Sequence, residues 1–202
     1  MSFFDAEPVG REPPQPEYRP PEWSQPPENV MPAAVALDAL IVSRNGVAVW
    51  VDAAFVYPTG VAFALTIVRR NGPADPRHGK PWFMHPGDPD GPRFGIGFSD
   101  GRRARIDRPG IGERQPDVVL SHQGGSGSDR RWAGRMWLWP LPPPGPLTFA
   151  FAWADERIDE TTLDIDSTPL IAAAGRAREL WSDDRPRSPE DRASSGGWTT
   201  YG

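Results

Sequence analysis

The sequence predicts a mainly β protein: one antiparallel β-sandwich of about eight strands, with a single C-terminal helix and disordered tails. Three observations predict it. Large apolar residues alternate with small or polar ones at period two through most of the middle of the chain. Turn signals built from Gly, Pro, Asn and Asp punctuate those runs at short intervals. The two ends read differently, with nine prolines in residues 1–32 and a polar, proline-broken stretch in 182–202. Such ends bury too little apolar surface to offset chain entropy. The expected organisation is a proline-rich tail over 1–32, a sandwich domain with its helix over 33–181, and a second tail over 182–202.

Strands are expected in order along the body. "VALDALIVS" (Val35 to Ser43) turns through Arg44-Asn45-Gly46 into "VAVWVDAAFVYP", since Asn-Gly is a strong hairpin signal. Strict alternation there puts Val47, Val49, Val51, Ala53, Phe55 and Tyr57 on one face. Pro58-Thr59-Gly60 turns the chain into "VAFALTIVRR", where Val61, Phe63, Leu65 and Ile67 share a face. A long Pro/Gly loop over 71–92 precedes "RFGIGFS", and Asp100-Gly101 leads into "RRARID". Then come "DVVLSH" (Asp117 to His122), a glycine-rich loop, "RWAGRMWLWP", the rigid corner "LPPPGP", "LTFAFAWA" and "ETTLDID". "STPLIAAAGRARELW" reads as the helix, with Thr168 as N-cap, Pro169 in the first turn, and Leu170, Ala174, Ala177 and Trp181 on its packed face.

Composition excludes several function classes. There is no cysteine, so disulfides, thiolate metal sites and a thiol nucleophile are ruled out. Net charge is −5, with 17 basic and 17 acidic residues in 33–181, which argues against nucleic acid as a partner. No stretch approaches the apolar length of a membrane span and no secretory leader pattern is visible, so a cytoplasmic protein without a membrane partner is expected. One lysine against 21 arginines reflects base composition more than function.

"SHQGGSGSDRRW" (Ser121 to Trp132) is the one run with the look of chemistry. It lacks the Lys-Ser/Thr of a phosphate loop, the third glycine of a dinucleotide site and the strand-to-helix turn of a serine nucleophile. A hairpin connection explains it without catalysis. Arginine pairs at Arg69-Arg70, Arg102-Arg103 and Arg130-Arg131 offer an anion-binding rim, against the commoner outcome of solvated ion pairs. His78, His85 and His122 are the only imidazoles, and Asp88 and Asp90 beside His85 match no regular metal pattern. The carboxylates between Asp155 and Asp166 read as a hairpin tip and an outward strand face. No metal, cofactor or catalytic residue is expected. Trp137 and Trp139 share a face with Arg135, while Trp132, Met136 and Leu138 share the other. Either the helix near Trp181 or the Pro81-Trp82-Phe83 loop covers the second face, or the aromatics form a partner surface.

The run from Gly124 to Asp166, with its "WPLPPPGPL" corner (Trp139 to Leu147) and the closing "LIAAAGRARELW", resembles a group of actinobacterial β proteins of no established activity. The resemblance covers about Val35 to Trp181 and implies a shared fold, with no function to carry over. From the residues, the leading expectation is a non-enzymatic cytoplasmic binding or regulatory module. It would engage a protein partner through a surface of His122, Arg130, Arg131, Trp137 and Trp139. The alternative is a small-molecule enzyme or anion-binding protein using the glycine run, with His122, Ser126 and the Arg130-Arg131 pair at its site.

Overall fold

A computed structural model describes residues 20–71, 90–106 and 117–182 of the chain. The expected tails over 1–19 and 183–202 and most of the 71–92 loop, including His78, Trp82, Phe83 and His85, lie outside the described residues. Pro21–Ser182 form one folded unit. The fold is mainly β, with two facing antiparallel sheets and one short helix.

The five-stranded sheet has the order β2-β3-β4-β8-β7, formed by β2 (Ala33–Arg44), β3 (Val47–Val56), β4 (Val61–Arg69), β7 (Val119–Gly127) and β8 (Arg131–Trp139). The four-stranded sheet has the order β10-β9-β5-β6, formed by β5 (Pro92–Gly97), β6 (Arg103–Arg105), β9 (Pro146–Trp153) and β10 (Ile158–Asp166). Edges meet edges, β10 lying against β2 and β6 against β7. Between the layers Val49, Val51, Phe63, Leu65, Met136 and Leu138 meet Phe94, Ile96, Leu147, Phe149 and Phe151. Phe63 binds the layers directly, with ring centroids 6.2 Å from Phe94 and 5.9 Å from Phe149, both edge-on. Each such fully buried side chain contributes roughly 1.5–3 kcal/mol, so this seam dominates stability.

Turn chemistry sets the hairpins as the sequence predicts. Asn45 (φ 54) and Gly46 (φ 78) both take positive φ, as a two-residue hairpin that follows strand twist requires. The corner after β8 begins with a cis Trp139–Pro140 bond. Its carbonyls are occupied: Ser99 Oγ donates to Pro144 O at 2.8 Å and the buried Ser167 Oγ donates to Pro143 O at 2.7 Å.

Three expectations are corrected. Strict alternation in β3 fails at a bulge between Val51 and Ala54, where Asp52 and Ala53 face a single residue of β4. Parity flips, so Ala54 and Val56 are buried while Phe55 points out, 50% exposed. The ordered chain begins before residue 33: Ser24 closes a turn onto Pro21 O, and β1 (Val30–Met31) pairs with β11 (Arg178–Glu179). Buried Asn29 ties this ribbon together, donating from Nδ2 to Trp181 O at 2.9 Å and accepting from Leu180 N at 2.8 Å. Finally, helix α1 spans only Thr168–Ala174, with Ser167 at its N-cap position and Leu170 and Ala173 as its buried residues. Gly175 ends it, and the "RELW" segment becomes ribbon, leaving Trp181 62% exposed. Gly175 keeps a right-handed conformation (φ −69), and the end closes through Arg176 N to Ala173 O at 2.9 Å and Ala177 N to Ala174 O at 3.3 Å, turns of the tighter i to i−3 kind.

Candidate functional site: the outer faces of the sandwich

The residues singled out in the sequence lie on β7, β8 and their turn, and the structure separates them. Arg131 and Trp139 stand at opposite ends of β8, about 27 Å apart at strand rise. His122 pairs with Met136, whose side chain is in the core, whereas Ser121 pairs with Trp137 on the outer face. A bulge between His122 and Gly125 keeps Ser126, paired with Ala133, on that outer face. His122 and Ser126 therefore look in opposite directions, and the two do not form an acid–base pair.

The glycine run is strand and not loop, a correction to the sequence reading. Gly124–Gly127 belong to β7, and the turn is only Ser128 to Arg130, closed by Ser128 N donating to Arg131 O at 2.7 Å. Sterics explain the glycines. A Cβ on Gly125 would meet Ala133 O at 2.6 Å, and one on Gly127 would meet Arg131 O at 2.8 Å. Gly134 opposite is occupied by an aromatic: its Cβ would lie 2.3 Å from Trp132 Cη2 and 3.1 Å from His122 Nε2. The Trp132 indole lies over the glycine backbone and His122 leans on it, ring centroids 5.6 Å apart. That contact desolvates the imidazole and holds its pKa below the usual range, partly offset by a hydrogen bond to the Gly124 backbone.

Trp137 is the second correction. It is 0% exposed and cannot serve as a surface anchor. It lies on the outer face, covered there by the turn after β3. Tyr57 meets it edge-on at 5.6 Å, and Gly60 sits so close that a Cβ would come 2.7 Å from Trp137 Cη2. Residues near Ser24 cross the neighbouring strand, where Gln123 Nε2 donates to Ser24 O at 2.9 Å and to Ser121 Oγ at 2.7 Å. The cover thus comes from the β3–β4 turn and from residues read as tail, while exposed Trp181 takes no part. Trp139 is half-buried at the corner.

The other half of that outer face is open. Cross-strand register sets Leu40, Trp50, Thr66 and Ala133 in one row. Trp50 Nε1 donates to Asp52 Oδ1 at 2.6 Å, which fixes the indole, and the Arg131 guanidinium carbon lies 5.4 Å from its ring centroid. Together they cover Thr66, leaving it 2% exposed although it points away from the core. Beside them Leu40 is 55% exposed, and Arg130 and Arg135 are exposed as well; Phe55, 50% exposed, lies farther along, in the row of Ala62 and Trp137. Of the expected surface, Arg130 and Arg131 remain; Trp50 and Leu40 stand with them in place of Trp137. Phe55 was hidden from sequence reading by the bulge.

The outer face of the four-stranded sheet holds the second feature, a groove of about 390 Å³ that no motif announces. Register places Thr162, Ala150, Gly95 and Arg105 in one row, and Asp164, Thr148, Gly97 and Arg103 in the next. Arg93 stands beside Ala152. The floor is glycine, alanine and threonine, with Arg93, Arg103 and Arg105 on one side and Glu160 on the other. Its signal was available in "RFGIGFS" and "TFAFAW", where every outward position is Arg, Gly, Ser, Thr or Ala.

Among the described residues no group of three or more His, Cys, Asp or Glu side chains is arranged to hold a metal ion, and no helix is long and apolar enough to cross a membrane. Comparisons with protein-family models, with curated proteins and with solved structures return no match.

Proposed function

We propose that the chain is a non-catalytic binding module that engages a protein partner through the open half of the outer face of the five-stranded sheet. The observation that carries this reading is the Arg131–Trp50 stack, tied to Asp52, with half-exposed Leu40 paired to Trp50 on the next strand. Trp and Arg supply most of the energy where protein surfaces meet, and a side chain already held in place loses little freedom on binding. Here the indole is fixed by a hydrogen bond and the guanidinium rests on it, an interaction contributing about 0.5–1 kcal/mol at an exposed site. Arg130, Arg131 and Arg135 outnumber Asp52 and Asp129, so the fitting partner presents an apolar anchor rimmed by carboxylates. The reading places this activity in the cytoplasm.

The full chain and a Trp50→Ala/Arg131→Ala double variant, immobilised side by side and exposed to extract of the source cells, test it. A protein retained by the first and absent from the second supports the reading; identical retention by both contradicts it.

A further inference from the structure

We infer that the groove on the outer face of the four-stranded sheet is a binding site for a small oxyanion-bearing molecule, its carboxylate or phosphate held by Arg93 and Arg103 and its body lying over Gly97 and Ala150. This site is on the opposite side of the sandwich from the Trp50–Arg131 surface and stands independently of it.

Charge is the first ground. The groove is lined by the guanidinium groups of Arg93, Arg103 and Arg105, with Glu160 on its β10 side and Asp164 at its edge, where it accepts from the Thr148 hydroxyl. Among the described residues neither Arg93 nor Arg103 has an ion-pair or hydrogen-bond partner, whereas Arg69 and Arg102 elsewhere in the fold are paired with Glu156 and Asp100. Arg93 on β5 and Arg103 on β6 project from the same face, and the planar fork of each matches the oxygens of a carboxylate or phosphate.

The floor is the second. Glycine in a strand costs roughly 0.5–1 kcal/mol relative to alanine, so a packing reason is expected for each. Gly95 has one: a Cβ would press on Ala104 O at 3.2 Å and Arg105 Cγ at 3.3 Å. Gly97 has none, since its nearest neighbour would be Thr148 Cβ at 3.6 Å, ordinary contact. Nothing in the fold forbids a side chain at 97, and a strand glycine without a packing reason marks a place where a ligand approaches the backbone. Gly97 and Ala150 are the partly exposed part of the floor, Gly95 and Ala152 being buried, and a groove of about 390 Å³ falls within the usual range for small-molecule sites. The phenylalanines among the lining residues, Phe94, Phe98 and Phe151, are buried beneath that floor. Recognition therefore runs through the arginines and not through ring stacking. Glu160 repels an anion from the β10 side and directs it toward Arg93 and Arg103.

Amide-resolved NMR titration of the full chain at constant ionic strength tests this, with sodium phosphate, sodium citrate and glucose as probes. The expected result is a saturable shift of the Gly97 and Ala150 amides with phosphate, citrate or both, and none with glucose. Phosphate alone identifies a phosphate ester as the ligand class, citrate alone a polycarboxylate. An Arg93→Ala/Arg103→Ala variant, which removes only exposed side chains, binds at least tenfold more weakly with the remaining spectrum unchanged. A Gly97→Val variant weakens binding with both arginines in place. Shifts absent at Gly97 and Ala150 with both anions, equal affinity in the double arginine variant, or shifts of the same size at every exposed arginine would each overturn the assignment.

Discussion

Arg69 at the end of β4 and Glu156 in the turn between β9 and β10 form an ion pair that bolts one sheet to the other. The guanidinium carbon also lies 5.2 Å from the Trp153 ring centroid, and Arg69 is only 9% exposed. Beside it, Asn45 Nδ2 donates to the carbonyls of Glu156 and Arg157 at 3.2 and 3.1 Å, so two hairpin turns from different layers are joined at one end of the sandwich. Removing one member of a mostly buried pair strands the other, which costs about 3 kcal/mol. Arg69→Met should lower the urea midpoint accordingly, and adding Glu156→Gln should recover about 1 kcal/mol of the loss, because no carboxylate is then left unpaired.

The glycines of the β7–β8 ladder and of the groove floor should behave in opposite ways. Gly134→Ala drives a methyl to 2.3 Å from the Trp132 ring, and the displaced indole should cost about 2 kcal/mol of stability. Gly97→Ala meets only ordinary contacts and restricts the unfolded chain, so stability should hold or rise by about 0.5 kcal/mol. Chemical denaturation of the two variants beside the parent measures both.

Two tryptophans on one sheet face should separate packing from recognition. Trp137→Ala empties a fully buried site under Gly60 and Tyr57 and should cost about 4 kcal/mol. Trp50→Ala removes a half-buried ring and its stack on Arg131 and should cost only about 1 kcal/mol. Thermal and urea unfolding read the difference; equal losses would mean that the open half of the face is as much core as the covered half.

Much of the sandwich was legible in the sequence because strand parity and turn chemistry are local. Asn45-Gly46 and the alternation in "VAFALTIVRR" each fix their own hairpin. What the sequence concealed depends on contacts between distant residues. The bulge at Asp52–Ala53 reverses which residues of β3 face out, and only the partner strand reveals it. Gly124–Gly127 look like a loop until Trp132 and Gly134 are set opposite them, since glycine composition is the same in a turn and in a strand roofed by an indole. Residues near Ser24 read as tail because their prolines dominate, although Gln123 binds them across about a hundred residues of chain. The surface proposed for a partner was half legible: the arginines of β8 were visible, but their aromatic partner, Trp50, lies two strands away in the sheet.

His122 makes stability depend on pH in a definite direction. Its folded pKa is depressed by desolvation against Trp132, so the unfolded chain binds the proton more readily. The full contribution is present above the ordinary histidine range and is lost as pH falls through it toward the folded value. Urea midpoints at pH 7.5 and pH 5.5 should therefore fall more for the parent than for His122→Gln. An equal fall in both would assign the slope to other groups.

Site-specific photo-crosslinking reads the proposed partner surface most directly. A photoreactive phenylalanine analogue placed at Leu40 or at Arg135, both exposed on the open outer face, should give one discrete adduct in extract of the source cells, the same from either position. The analogue at Thr162, on the other sheet, should give none. Bare positions 40 and 135, or adducts of equal yield from position 162, would contradict the assignment of that face as the place where the partner docks.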